Sequence, residues 1–147
     1  MKIYLDCCCF GRPYDDQSQD RIFNETKAKL AIQRHIATGN AELVSSEYLI
    51  MENGLRKDPI EKETIEEFMY RYSCDIVESQ FIPELLTMAE TIAKTGIKPM
   101  DSKHVASAIV SHCDCFITVD DRILKYKTNK IKIMNPIDFA RGERTEF

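Results

Sequence analysis

Residues 2–6, Lys-Ile-Tyr-Leu-Asp, form a short apolar run that ends in a carboxylate, the pattern of a buried first strand with Asp6 at its C-terminal end. Gly11-Arg12-Pro13 then breaks the chain into a loop. From about residue 18 to 38 the spacing turns helical: Phe23, Leu30 and Ala31 mark one face, Ile32 and Ile36 broaden it, and Gly39-Asn40 supplies the stop. Leu43-Val44 centres a second strand within residues 41–45, and Ser45 or Ser46 caps a helix from Glu47 to about Arg56. Pro59 restarts the chain into a helix over residues 60–72, its exposed face rich in Glu and Lys, and Asp75-Ile76-Val77 reads as a third strand.

Residues 81–95 carry Leu85, Leu86, Met88, Ala89, Ile92 and Ala93 at helical spacing, with Gly96 as the stop. Asp101 opens a helix of small residues, Val105 to Val110, suited to close packing on a sheet. Residues 115–119 are a fourth strand ending at Asp120-Asp121, a short helix runs to about Tyr126, and residues 131–134 make a fifth, more polar strand closed by Asn135-Pro136. Strands that alternate with helices predict an α/β fold, a three-layer α/β/α sandwich around a mostly parallel central sheet of about five strands. One domain covers residues 1–140, followed by a polar tail over 141–147 expected to fray.

Composition changes this picture little. The 147 residues are 44% apolar with only five Gly and five Pro, which excludes a disordered or collagen-like chain. No apolar run approaches the ~20 residues of a bilayer span, and the first one is too short for the ~7–15-residue core of a signal peptide. The expectation is a cytoplasmic protein that does not enter a membrane. Of the six Cys, Cys7, Cys8 and Cys9 are consecutive and no Cys-x-x-Cys pair exists, so reduced thiols acting as small core or loop residues are expected. Acidic side chains number 24 against 20 basic ones, a net charge of −4 that provides no global attraction to nucleic acid. Residues 98–132, with seven Lys or Arg and four Asp, are locally +3.

The acids carry the candidate chemistry. Asp6 and Asp120 fall where a strand stops, Asp101 where a helix starts, and Glu52 on the helix after the second strand. In a parallel sheet such positions converge on one edge, beyond the strands' C-terminal ends. Carboxylates so gathered raise one another's pKa and call for a cation. An all-oxygen set suits Mg²⁺ or Mn²⁺ better than Zn²⁺. Taken singly, each has an ordinary explanation: Asp101 as a helix N-cap, Asp6 and Asp120 as loop or turn residues, Glu52 as a solvated helical acid. His104, one turn beyond Asp101 on the same helix, is within reach of the site but reads more readily as a packed or surface residue.

Taken together, these residues resemble the PIN-domain family of metal-dependent nucleases, which includes VapC-type toxins, over nearly the whole chain. The matching pieces are Ile3-Tyr4-Leu5-Asp6, Ser46 with Glu52 six residues later, Asp101-Ser102-Lys103-His104-Val105-Ala106-Ser107-Ala108, Thr118-Val119-Asp120, and Asn135-Pro136 before Phe139. Glu47 and Asp121 compete for the second and fourth acidic positions, and the offsets from Ser46 and Thr118 select Glu52 and Asp120. The chain departs from the family pattern after the first Asp, where Cys7-Cys8-Cys9 stand in place of the frequent Thr, Ser or Asn.

The resemblance implies a PIN-like sandwich in which Asp6, Glu52, Asp101 and Asp120 bind Mg²⁺ or Mn²⁺ and serve as the catalytic set. Thr118 would support the ligands, and Arg12, Lys103 and Arg122 would contact phosphate. It implies an endoribonuclease acting on single-stranded or structured RNA to leave a 5′-phosphate and a 3′-hydroxyl, possessed of a protein antitoxin as toxin-type members are, and dimerising with itself. Setting the four acids aside leaves 20, equal to the basic count, so the charge outside the site is balanced. The alternative keeps the fold and drops the chemistry: a silent PIN-like scaffold that binds RNA or protein. An aspartyl phosphatase is a weaker rival, because its Asp-x-Asp after the first strand would need an acid where Cys8 stands. A receiver-like domain is weaker too, since neither its acidic pair near the first strand nor its late Lys is evident.

Overall fold

The structure, a computed structural model, describes the backbone of residues 1–146 and the side chains of residues 1–142. Its centre is a five-stranded sheet of β1 (Lys2–Leu5), β2 (Glu42–Ser46), β3 (Ser73–Val77), β4 (Cys115–Ile117) and β5 (Lys132–Met134), in the order β3-β2-β1-β4-β5. All four pairings are parallel, with Tyr4 opposite Val44 on one side and Phe116 on the other. The chain builds outward from β1 to β3, then returns across it to start β4. The reversal therefore lies between β1 and β4, the place where parallel α/β sheets open a crevice at their C-terminal edge.

Among the described residues, eight α-helices surround the sheet: α1 (Cys7–Gly11), α2 (Asp20–Ala37), α3 (Glu47–Asn53), α4 (Pro59–Tyr72), α5 (Glu84–Ala93), α6 (Pro99–Val110), α7 (Asp121–Leu124) and α8 (Pro136–Glu146). Short 3₁₀ turns occupy Arg12–Tyr14 and Ser79–Phe81. Successive side chains along β1 point to opposite faces. Tyr4 stacks on Phe116, ring centroids 5.3 Å apart, on the face that α6 covers. Ile3 and Leu5 turn to the other face, and all four are fully buried. The result is an α/β/α sandwich.

Several sequence expectations need correction. Gly11-Arg12-Pro13, expected as a loop, lie in helical turns, because Asp6 caps α1 by accepting the Cys7 amide and Pro13 sits where a helix start tolerates it. On α2, Phe23 and Leu30 are exposed, not core. The buried stripe is Glu25, Ala28, Lys29, Ile32 and Ile36, which has helical spacing but includes two charges, so a reading based on apolar residues rotates the helix. Asp101 lies in the first turn of α6 rather than at its cap, which Lys98 occupies without a side-chain bond. Asn135 ends the fifth strand as expected and also caps α8 through the Ile137 amide at 2.8 Å. This helix begins before the polar tail, whose side chains from residue 143 on lie outside the described residues. No helix among the described residues is long and apolar enough to cross a membrane.

Candidate active site

Asp6 and Asp120 meet at the reversal point through Thr118. The Asp6 amide bonds to Ile117 O at 2.9 Å, which ties the end of β1 to the end of β4. Thr118 Oγ1 donates to Asp6 Oδ2 at 2.8 Å and accepts the Asp120 amide at 3.0 Å. A single buried hydroxyl thus fixes both acids. Asp6 Oδ1 accepts from Cys7 N at 2.8 Å, and Cys8 Sγ donates to Oδ2 at 3.3 Å. The thiol of Cys8, two residues after Asp6, thus supplies a hydrogen bond to its carboxylate. Cys7 and Cys9 are buried, as expected of small core residues.

Glu52 comes from the opposite side. Ser46 caps α3 by accepting the Leu49 amide at 3.1 Å, which aims the helix across the same edge and carries Glu52 to its last turn. There Glu52 Oε2 meets His104 Nε2 at 2.7 Å. Behind His104, its Nδ1 contacts Tyr4 Oη at 2.7 Å, and Tyr4 Oη contacts Ser46 Oγ at 2.6 Å. Tyr4, Ser46 and His104 are fully buried. Sequence reasoning missed Tyr4 and favoured a packed or surface role for His104 over one at the site. The available signal was the shared helix face of Asp101 and His104, three residues apart.

The acids feel one another electrostatically. Burial pushes the Asp101 carboxyl up to about 6, and Asp6, Asp120 and Glu52 add to the rise while His104 opposes it. Burial also raises Asp6, against the opposing pull of His104, Thr118 and Cys8. The hydrogen bond from His104 holds Glu52 below the usual carboxylate range. Three of the four acids rest on protein donors, since Asp120 Oδ1 also accepts the Arg122 amide at 2.8 Å. Among the described residues, no three His, Cys, Asp or Glu side chains stand close enough to hold a metal ion. The half-buried Asp101 carboxyl is raised by the charges of Asp6, Asp120 and Glu52, and an all-carboxylate donor set is of the kind that suits a hard divalent cation.

The cations are less uniform. Arg12 is committed to Glu25 Oε1 at 2.8 Å and to Asp15 at 3.0 Å. Lys103 lies over the Tyr48 ring, 5.3 Å from its centroid, and Arg122 is exposed on α7, two residues from Asp120. Glu47 is engaged elsewhere, accepting from Ser79 Oγ at 2.6 Å. The fully buried Glu25, another residue missed in the sequence, pairs with Arg12 and Arg21 and accepts from Asn135 Nδ2. Arg21 in turn grips Asp121 through both Nη atoms, at 3.0 and 2.8 Å, and braces the turn that bears Asp120.

No protein-family model and no curated protein matches the chain in sequence. Solved structures match in fold. VapBC2 from Rickettsia felis, bound to a DNA fragment from its promoter, shares 12% identity with a TM-score of 0.57, covering 92% of this chain and 98% of that one. FitAcB from Neisseria gonorrhoeae shares 16% identity with a TM-score of 0.52, covering 91% and 97%. The fold is PIN-like. At these identities the likeness concerns the backbone. In this PIN-like chain the sheet order and the crevice between β1 and β4 set Asp6, Thr118 and Asp120 in one corner and face them with Glu52 and Asp101.

Proposed function

We propose that this chain is a PIN-domain endoribonuclease of the VapC-like kind that uses Mg²⁺ or Mn²⁺, and that it is the toxin of a toxin–antitoxin pair. The observation that carries the reading is the rise of Asp101 to about 6 beside Asp6, Asp120 and Glu52, a like-charge cluster at the sheet's C-terminal edge. Asp6, Glu52, Asp101 and Asp120 would hold the cation. When bound, such an ion supplies a water of lowered pKa and neutralises charge on a phosphodiester. Thr118 keeps Asp6 and Asp120 at a common position through its two hydrogen bonds. Lys103 and Arg122 would contact phosphates of the RNA, and Arg12 would do so on leaving Asp15. The likeness in fold to VapBC2 and the resemblance to VapC-type toxins support a protein antitoxin as partner. A homodimer is proposed from the family resemblance.

A second reading, a silent scaffold binding RNA or protein, is favoured by one observation: no three acids approach closely enough to hold a metal among the described residues. One experiment separates the two. Purified protein is incubated with labelled single-stranded RNA and structured tRNA in Mn²⁺ or Mg²⁺, beside an EDTA control and Asp101→Asn. Cleavage that needs the metal and is lost in the variant is the expected result. No cleavage and no calorimetric metal binding would favour the scaffold.

A further inference from the structure

Beneath Glu52 runs a buried hydrogen-bond chain through three elements: Ser46 at the end of β2, Tyr4 on β1 and His104 on α6. The contacts are 2.6, 2.7 and 2.7 Å, and the three inner residues are wholly shielded from water. Counting hydrogens gives the chain a direction. Ser46 Oγ already accepts the Leu49 amide, so its own hydrogen goes to Tyr4 Oη. The Tyr4 hydrogen then goes to His104 Nδ1, and the ring keeps its remaining N–H on Nε2, where it donates to Glu52 Oε2. Every hydrogen has an acceptor. Reversing the chain puts hydrogen on Nδ1, passes the Tyr4 hydrogen to Ser46 and leaves the Ser46 hydroxyl hydrogen without an acceptor in a dry site, a costly arrangement.

We propose that Tyr4 and His104 are positioning residues for Glu52, holding Oε2 so that the carboxylate keeps one orientation and its other oxygen would be free for a cation. This rests on the metal-nuclease reading above. A buried imidazole fixed from behind has one orientation and one tautomer, and a carboxylate on its N–H has lost most of its torsional freedom. That rigidity is what a flexible acid on the last turn of a seven-residue helix otherwise lacks. Tyr4 is held in turn by its stacking on Phe116, so the device is anchored in the centre of the sheet.

The test compares Mn²⁺ affinity by calorimetry for the wild type, Glu52→Gln, Tyr4→Phe, His104→Leu and His104→Gln, at a temperature where circular dichroism reports each fully folded. Tyr4→Phe and His104→Leu should weaken Mn²⁺ binding by about 10-fold. His104→Gln, whose amide N–H can reach the same carboxylate, should recover much of the loss. A purely structural role would lower the melting temperature and leave Mn²⁺ affinity unchanged. Equal affinity in wild type, Tyr4→Phe and His104→Leu, with Glu52→Gln impaired, would overturn the positioning role and leave the metal reading standing. A wild type that does not bind Mn²⁺ would overturn both. Independently of metal, ¹⁵N-edited imidazole spectra should find the Nε2–H tautomer at His104, with the hydrogen-bond shift at Nδ1 lost in Tyr4→Phe; an Nδ1–H form in the wild type would overturn the direction of the chain and with it the proposal.

Discussion

Asp101 ties stability to function most directly. Its native pKa of about 6 lies above the ordinary 3.8. Between those values the native chain holds a proton that the unfolded chain has released, so metal-free stability falls as pH rises through that window. Asp101→Asn should abolish metal-dependent cleavage. It should also flatten that fall, leaving the metal-free variant more stable than wild type near pH 7, as urea titrations at several pH values would measure. Lys29 offers the opposite sign. Burial between α1 and α2 lowers it to about 8, with its Nζ given to Gln33 Oε1 at 2.6 Å. The unfolded chain keeps its proton up to the ordinary 10.5, so stability from this group rises with pH above about 8. Lys29→Met should raise the urea midpoint at pH 7 and lessen that rise.

The helices and strands were legible where a simple period held. The five strands and the order of the main helices follow from short apolar runs and Gly or Pro stops, as at Ile3-Tyr4-Leu5 and Gly39. The face of α2 was not, because its buried stripe uses Glu25 and Lys29, whose burial depends on partners distant in sequence. The carboxylates at strand ends were legible for the same reason as the strands. The Tyr4–His104–Glu52 chain was not, since residues 4, 52 and 104 come together only through the sheet's crossover. Glu25 shows what such a distant partnership is worth. Glu25→Ala would leave Arg12 and Arg21 without their shared acceptor and should cost about 3 kcal/mol, as for breaking a buried pair. Chemical denaturation reads that loss. Cleavage should fall as well, because Arg21 braces the turn carrying Asp120.

The whole chain is arranged around the seam between β1 and β4. A ligand bound at the proposed site would touch the end of β1, α3, α6 and the loop after β4, and so should stabilise the fold as one unit. Mn²⁺ at a hundred times its Kd should add about 2.7 kcal/mol, or about 5–10 °C of melting temperature for a domain of this size. EDTA should reverse the shift, and Asp6→Asn should diminish it, as differential scanning calorimetry would record. Balanced charge outside the four acids allows a polyanion to approach once a cation is seated.

The seam also bears on the moment of synthesis. The bond from Thr118 to Asp6 spans 112 residues of chain, and the Asp6 amide finds its acceptor only on Ile117. A polypeptide still emerging from the ribosome has its first strand early, yet the neighbour that completes the corner arrives only when residues 115–120 are out. Contacts so far apart in sequence close late. The corner that ties Asp6 to Thr118 and Asp120 is thus completed only after nearly all of the fold has been made.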